Sequence, residues 1–431
     1  MKLDTITLHK AARFSGEVIP PPDKSISHRA IFFSSIANGR STVHNFLNAA
    51  DPISTINAFR MMGVDIKQDG NNVIVDGRGF HNLKEPINVI DCGNSGTTIR
   101  LLTGLLSACP FFTVLTGDDS LRNRPMSRVI LPLKQMNAKI DARNNGKYAP
   151  IYIHGGQLSP IQYVMPVPSA QVKTSIILAA LFTEGATEIE QLIMSRDHTE
   201  RMLKAYGADI KIDGLKIEVT GGVELRATDV IVPGDISSAA FFIAASQLIK
   251  KSEVKIKAVG LNPTRTGLID ILSRMDANIE ITNNEIISGE LIGDLLCKCP
   301  KGLQAVTIKE DEIPFLIDEF PIIAVLATQA EGTTEITGAS ELRIKESDRI
   351  SAMAIELKKM GADVEELPDG MRIRGKVKLK GARVNSHNDH RIAMALSIAA
   401  LIADGETTID GKSVVDISFP EFYPTLLGLI K

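Results

Sequence analysis

IILAALFTEGATEIEQL, residues 176–192, reads as an apolar, Ala-rich helix, a small polar turn at Glu184-Gly185, and a β-prone run whose apolar and polar residues alternate. The same succession returns as IFFSSIANGRSTVHNF from Ile31, LLTGLLSACPFFTVLTG from Leu101, AAFFIAASQLIKKSEVKIKAV from Ala239, IIAVLATQAEGTTEITGA from Ile322 and ALSIAALIADGETTIDG from Ala395. Its turns fall near Asn38, Cys109, Glu184, Lys250, Glu331 and Asp404, about every 65–80 residues, the signature of a repeat architecture. Five turns are followed by a second element, a helix ending in a Gly-Ala-like pair and then two β-prone runs around a polar turn: MMGVDIKQDGNNVIVDG, MNAKIDARNNGKYAPIYIHG, AYGADIKIDGLKIEVTGG, MDANIEITNNEIISGE and MGADVEELPDGMRIRG. Each unit thus contains two helices and several short strands. The sixth unit lacks the second half after Asp410, while one extra strand, ITLHKAARFSGEVI, stands at the N-terminus, so the two ends are expected to complete one another.

Six units imply two domains of three. Pro20-Pro21-Pro22 and Val232-Pro233-Gly234-Asp235 are the breaks, since Pro and Gly clusters punctuate regular structure. The expected domains are residues 21–235, and residues 1–20 with 236–431, joined by two hinge crossovers near 20–22 and 232–236.

With 431 residues, 44% hydrophobic and 23% charged, the chain can bury large cores. Four cysteines are too few for a disulfide framework, and Cys297 and Cys299 have no companions at metal-ligand spacing. No cofactor or metal is therefore expected. The charged start MKLDTITLHK and the lack of a long apolar run argue against a secretion signal and a membrane span, favouring the cytoplasm. A net charge of −3 offers no general attraction to nucleic acid.

Before each Ala-rich helix stands a polar segment: Asp23-Lys24-Ser25, Gly93-Asn94-Ser95-Gly96, Ser169-Ala170-Gln171, Asp235-Ile236-Ser237-Ser238, Asp318-Glu319 and Asn388-Asp389-His390-Arg391. Most of these are explained as N-caps. Capping does not account for the added cations Lys24, Arg29, Arg100 and Arg391, which oppose the positive end of a helix dipole. Free amides plus cations make anion sites, and in a repeat fold equivalent helix starts can converge on one cleft. PPDKSISHRA (21–30) combines Lys, two Ser and Arg; a capped helix with a solvated face is its plainer explanation. DCGNSGTTIR (91–100) is a Gly-rich turn entering a helix, but no P-loop. LRNRPMSR (121–128) packs three arginines beside a proline.

Together with PSAQVK (168–173), SRDHTERML (195–203), PGDISSAAFF (233–242), IDEFP (317–321), RIKESDR (343–349) and NDHRIAM (388–394), these segments resemble the enolpyruvylshikimate phosphate synthase family, in family order and over nearly the whole chain. The resemblance implies an α/β fold of two domains, each of three βαβαββ units in an inside-out α/β barrel, with helix N-termini facing an interdomain cleft. It implies transfer of the enolpyruvyl group of phosphoenolpyruvate to shikimate 3-phosphate, by a monomer that closes on its ligands and that glyphosate inhibits. Two departures stand out: Ala170 replaces a second Ser of some members, and Ile417 occupies the place of a Lys near the Phe-Pro pair.

By the same resemblance, Lys24, Gly96, Arg124, Gln171, Arg349 and Arg391 hold phosphoenolpyruvate, with forked arginine donors on phosphate or carboxylate. Lys24, Ser25, Arg29, Ser169, Gln171, Ser195, Asp318 and Lys345 hold shikimate 3-phosphate. Asp318 and Glu346, with Lys24 nearby, are the catalytic candidates: two carboxylates in different environments can exchange protons with the hydroxyl and the methylene carbon. Their division of labour stays open. The plainer explanations are an N-cap for Asp318 and a surface helix ion pair for Glu346. His390 reads as a packed helix-start residue and His198 as cleft lining. Three rivals are a sister transferase acting on UDP-N-acetylglucosamine, a nucleotide-dependent enzyme, and a non-catalytic repeat scaffold. The first carries a reactive Cys in the loop matching Gly117 to Arg128, where this chain has none.

Overall fold

A computed structural model describes residues 4–431. They form two compact units, one of Pro22–Val232 with Ile287–Glu290, the other of the segment ending at Pro21 with Pro233–Ile286 and Leu291–Lys431.

In the first unit the helices Lys24–Ile36, Gly96–Ser107 and Ala170–Ala180 each lead into the inner strand of a four-stranded sheet: Asn38–His44, Phe112–Thr116 and Ala186–Gln191. A short strand lies parallel to each inner strand: Val230–Ile231, Ile90–Asp91 and Gln162–Met165. On the other side runs an antiparallel hairpin, whose nearer strands are Asn72–Arg78, Tyr148–His154 and Lys216–Thr220.

The second unit repeats this plan. Its inner strands are Glu253–Gly260, Ala330–Ile336 and Glu406–Asp410, following the helices Ile236–Leu248, Phe320–Ala327 and His390–Ala400. Parallel partners are Ser15–Val18, then Leu303–Gln304 with Thr307–Ile308, then Arg383–Asn385.

Why the helices are Ala-rich follows from where they sit. All residues of Phe320–Ala327 and His390–Ala400 are buried, as are Ile236 to Gln247. A helix without a polar face must be enclosed, and small side chains let such helices approach closely. Gly104 marks one such approach, where an added Cβ would lie 2.1 Å from the Ser175 carbonyl oxygen. The strands instead alternate: Ala186–Gln191 buries every second residue, so one sheet face covers the helices and the other meets solvent. Four of the five hairpins return against the end of the preceding helix or just past it, at Gly77, Gly155, Gly221 and Gly375. There an added Cβ would sit 2.2, 2.0, 1.9 or 2.1 Å from the carbonyl oxygen of Ser34, Cys109, Thr183 or Ala330. Only glycine fits so close an approach, which explains why four of the quoted second elements end in it.

Two details depart from the sequence reading. The single N-terminal strand is two. Thr5–His9 pairs antiparallel with Glu406–Asp410, whereas Ser15–Val18 pairs parallel with Glu253–Gly260. Between them the chain bends to another partner, with Ala11 N donating to the Leu401 carbonyl at 2.9 Å. In MDANIEITNNEIISGE the Asn-Asn pair is not the hairpin turn. Asn278–Ile287 is one strand, with positive φ at Asn283, and the turn is Ser288-Gly289, where φ of 50° and 81° matches the mirror-image turns that suit strand twist.

Candidate active site

In the first unit the candidate residues sit on helix starts. Asp23 caps Lys24–Ile36, its carboxylate accepting from Ile26 N at 2.8 Å. Lys24 is the first helical residue, and its Nζ donates to Asp51 Oδ2 at 3.2 Å. Arg29, buried one turn on, donates from Nε to Thr199 Oγ1 at 2.8 Å, from Nη2 to Thr174 Oγ1 at 3.1 Å and from Nη1 to the Ser25 carbonyl at 3.0 Å. Three helices are thereby tied to one guanidinium.

At the start of Gly96–Ser107, Ser95 is the cap and Gly96 supplies room: a Cβ there would lie 2.9 Å from Arg100 Nη1 and 3.2 Å from Arg124 Nη1. Arg124 Nη2 donates to Asn94 Oδ1 at 2.7 Å. Arg100 Nη1 donates to Gln171 Oε1 at 2.5 Å, and Gln171 Nε2 donates to Thr97 Oγ1 at 3.0 Å. Gly96, Arg124 and Gln171 are therefore together. Ser169 caps Ala170–Ala180 by accepting from Val172 N at 3.4 Å. Ser195 is buried, and its hydroxyl donates to Gln191 Oε1 at 2.6 Å. The Ser195 carbonyl accepts from Lys173 Nζ at 3.1 Å, and Lys173 pairs with Glu200 Oε1 at 2.6 Å, both side chains enclosed. Burial pulls the Lys173 ammonium below its ordinary range, with Glu200 opposing that shift.

The second unit centres on Arg349, only 1% exposed. Its Nε donates to Asp389 Oδ2 at 2.8 Å, Nη2 to Glu346 Oε2 at 2.7 Å and Nη1 to Asp318 Oδ1 at 3.2 Å. Burial alone would lower its pKa, but Asp389, Glu346 and Asp318 outweigh it, so the guanidinium is held more firmly charged than usual. Arg391 Nε lies 3.6 Å from Asp318 Oδ1, and its Nη1 donates to the Asp318 carbonyl at 3.3 Å. Lys345 is pulled below its ordinary range by burial, against the attraction of Asp318 and with Arg349 adding to the shift. A phosphoenolpyruvate carboxylate on Arg349 would have to share it with these three carboxylates.

Glu319 occupies the cap position of the following helix, and the Asp318 carboxylate pairs with Arg349 and Arg391. Glu346 does pair with Arg349 three residues on, but the guanidinium is enclosed, so this is no surface pair. Sequence reasoning missed Asp51, Glu200 and the Arg349 contact of Asp389, which lie 27, 27 and 40 residues from their partners. The four cysteines offer no nucleophile. Burial raises every thiol, Cys297 to about 12.

Among the described residues no helix is long and apolar enough to cross a membrane. The family model described as EPSP synthase (3-phosphoshikimate 1-carboxyvinyltransferase) matches residues 8–426. A 3-phosphoshikimate 1-carboxyvinyltransferase of Thermodesulfovibrio yellowstonii is 54% identical over 426 residues, 98% of this chain and 99% of that protein. The enzyme of the same name from Bacillus subtilis is 49% identical over 433 residues, with both chains fully covered. A solved EPSP synthase from Acinetobacter baumannii superposes with a TM-score of 0.89 at 45% identity, covering 99% of this chain and 98% of that one. Motif order, sixfold α/β architecture and full-length similarity agree, and the chain belongs to the EPSP synthase family.

Proposed function

We infer that this protein transfers the enolpyruvyl group of phosphoenolpyruvate to the 5-hydroxyl of shikimate 3-phosphate and releases phosphate, a step toward chorismate and the aromatic amino acids. The observation that carries the chemistry is the Arg349 fork, which holds Asp318 Oδ1 and Glu346 Oε2 on one enclosed guanidinium. Addition needs a proton delivered to the methylene carbon while the 5-hydroxyl loses one and its oxygen bonds to C2. Elimination then returns a proton from the methyl group as the C2–phosphate bond breaks. Two carboxylates fit these transfers, and positioned acid–base groups contribute about 10²–10⁴-fold each. Asp318 takes the hydroxyl proton, and Glu346 with Lys24 serves the methylene carbon.

Phosphoenolpyruvate is assigned to Lys24, Gly96, Arg124, Gln171, Arg349 and Arg391. Shikimate 3-phosphate is assigned to Lys24, Ser25, Arg29, Ser169, Gln171, Ser195, Asp318 and Lys345. The physical support is concentration of cations: two substrates carrying phosphates and carboxylates require them, and arginine forks match both groups. The same reading makes the protein a cytoplasmic monomer in which glyphosate competes with phosphoenolpyruvate.

Phosphate release from phosphoenolpyruvate is the test, run with shikimate 3-phosphate or with UDP-N-acetylglucosamine as acceptor. Release with the first alone is expected. Release with only the second would reassign the acceptor, and none with either would leave an anion-binding scaffold.

A further inference from the structure

The helices Lys24–Ile36 and Ala50–Met61 are joined by two rungs one turn apart. Lys24 Nζ meets Asp51 Oδ2 at 3.2 Å, and four residues on in both helices His28 Nδ1 meets Thr55 Oγ1 at 2.8 Å. Equal i,i+4 steps keep both rungs on one face of each helix. From Thr55 the contacts continue to Thr98 Oγ1 at 2.7 Å, and Thr98 Oγ1 donates to Ser95 Oγ at 2.7 Å. Ser95 is the cap of the helix that begins at Gly96. All four side chains, His28, Thr55, Thr98 and Ser95, are 0% exposed.

Hydroxyl chemistry fixes the direction of this chain. Each hydroxyl has one proton. The Thr98 proton goes to Ser95, so the Thr98 oxygen must accept from Thr55. The Thr55 oxygen must then accept from His28 Nδ1–H, which sets the imidazole tautomer and leaves Nε2 as a lone pair. That Nε2 is buried with no hydrogen-bond partner among the described residues. A core needing only packing would avoid such an orphan, so its retention calls for a reason.

We infer that Thr55, oriented by His28, is a positioning residue: with Asp51 it sets the Lys24 helix start at a fixed separation from the Gly96 helix start. The inference rests on the assignment of Lys24 and Gly96 to phosphoenolpyruvate. Without the Thr55 hydroxyl the two helix starts lose their shared contact, and capture of phosphoenolpyruvate weakens before chemistry does.

The experiment compares Thr55→Val, which removes the hydroxyl at nearly constant volume, with Thr55→Ser, which keeps it. Both are assayed for phosphate release with shikimate 3-phosphate as acceptor. Thr55→Val is expected to raise KM for phosphoenolpyruvate about tenfold with kcat within about threefold of the parent, while Thr55→Ser stays within about twofold on both. Equal KM values for the two variants, or a loss confined to kcat, would overturn the inference. Should Thr55→Val not fold, Thr98→Val interrupts the same chain and is judged by the same split. An inactive parent protein would instead overturn the assigned reaction, so the two failures are distinguishable.

Discussion

Ser95 and Asp389 do the same local work by different physics. Both are fully buried N-caps of buried helices: Ser95 Oγ accepts from Thr98 N at 3.1 Å, and Asp389 Oδ1 accepts from Arg391 N at 2.9 Å. Around Ser95 the network is neutral, passing through Thr98 and Thr55 to an imidazole. Around Asp389 it is ionic, since Oδ2 accepts from Arg349 Nε and from Ser347 Oγ at 3.3 Å. A neutral buried hydrogen bond contributes about 1 kcal/mol, whereas removing one partner of a buried ion pair costs about 3–5 kcal/mol because a charge is stranded. The neutral network can hold a helix start in place, while the ionic one also holds the Asp318 and Glu346 carboxylates on a charged guanidinium.

The largest effect should fall on turnover. Asp318→Asn and Glu346→Gln are each expected to lower kcat about 10³-fold in the phosphate-release assay, with binding of shikimate 3-phosphate by calorimetry retained in Glu346→Gln. A variant within tenfold of the parent would remove that carboxylate from proton transfer and reduce the Arg349 cluster to scaffolding. Next comes stability. Asp389→Asn keeps a capping oxygen but removes one of the three carboxylates on Arg349, leaving Glu346 and Asp318 in place, so urea unfolding should show a loss of about 2 kcal/mol, and Asp389→Ala about 1 kcal/mol more for the cap. Ser95→Ala should cost only about 1 kcal/mol. Equal losses for Asp389→Asn and Ser95→Ala would erase the contrast between the two networks.

The fold was legible because its determinants are local and repeated. Apolar helices, small turns and alternating strands all follow from periodicity within a few residues, and the glycines that end four of the hairpins recur with them although the carbonyls they approach lie further off. The caps Ser95, Ser169, Asp235 and Asp389 could likewise be named from their places before apolar runs. What could not be read depends on distant partners. Nothing near Lys24 announces Asp51, and nothing near Lys173 announces Glu200. IDEFP looks like a helix start with Asp318 before it, and nothing nearby announces that the Asp318 carboxylate pairs with Arg349 and Arg391. The N-terminal run is β-prone throughout, but its middle residues leave the sheet to bond Leu401, and only the folded context supplies that competitor.

A pH dependence should be carried by the neutral network. Burial first, then the charges of Lys24 and Arg29, depress His28 well below its ordinary 6.5. Above about 6.5 both folded and unfolded chains hold His28 neutral, so it makes no pH-dependent contribution. As pH falls below that value the unfolded chain gains a proton that the folded one refuses, so stability drops with a slope of up to about 1.4 kcal/mol per pH unit until the depressed folded pKa is reached. His28→Asn keeps an amide donor for Thr55 but cannot titrate. Urea unfolding between pH 7 and pH 5 should therefore show a shallower acid-side loss in His28→Asn than in the parent. Parallel curves would mean that His28 is protonated inside the fold. The Nδ1–H donor to Thr55 would survive in the imidazolium, so the hydroxyl order would stay while the network would no longer be neutral.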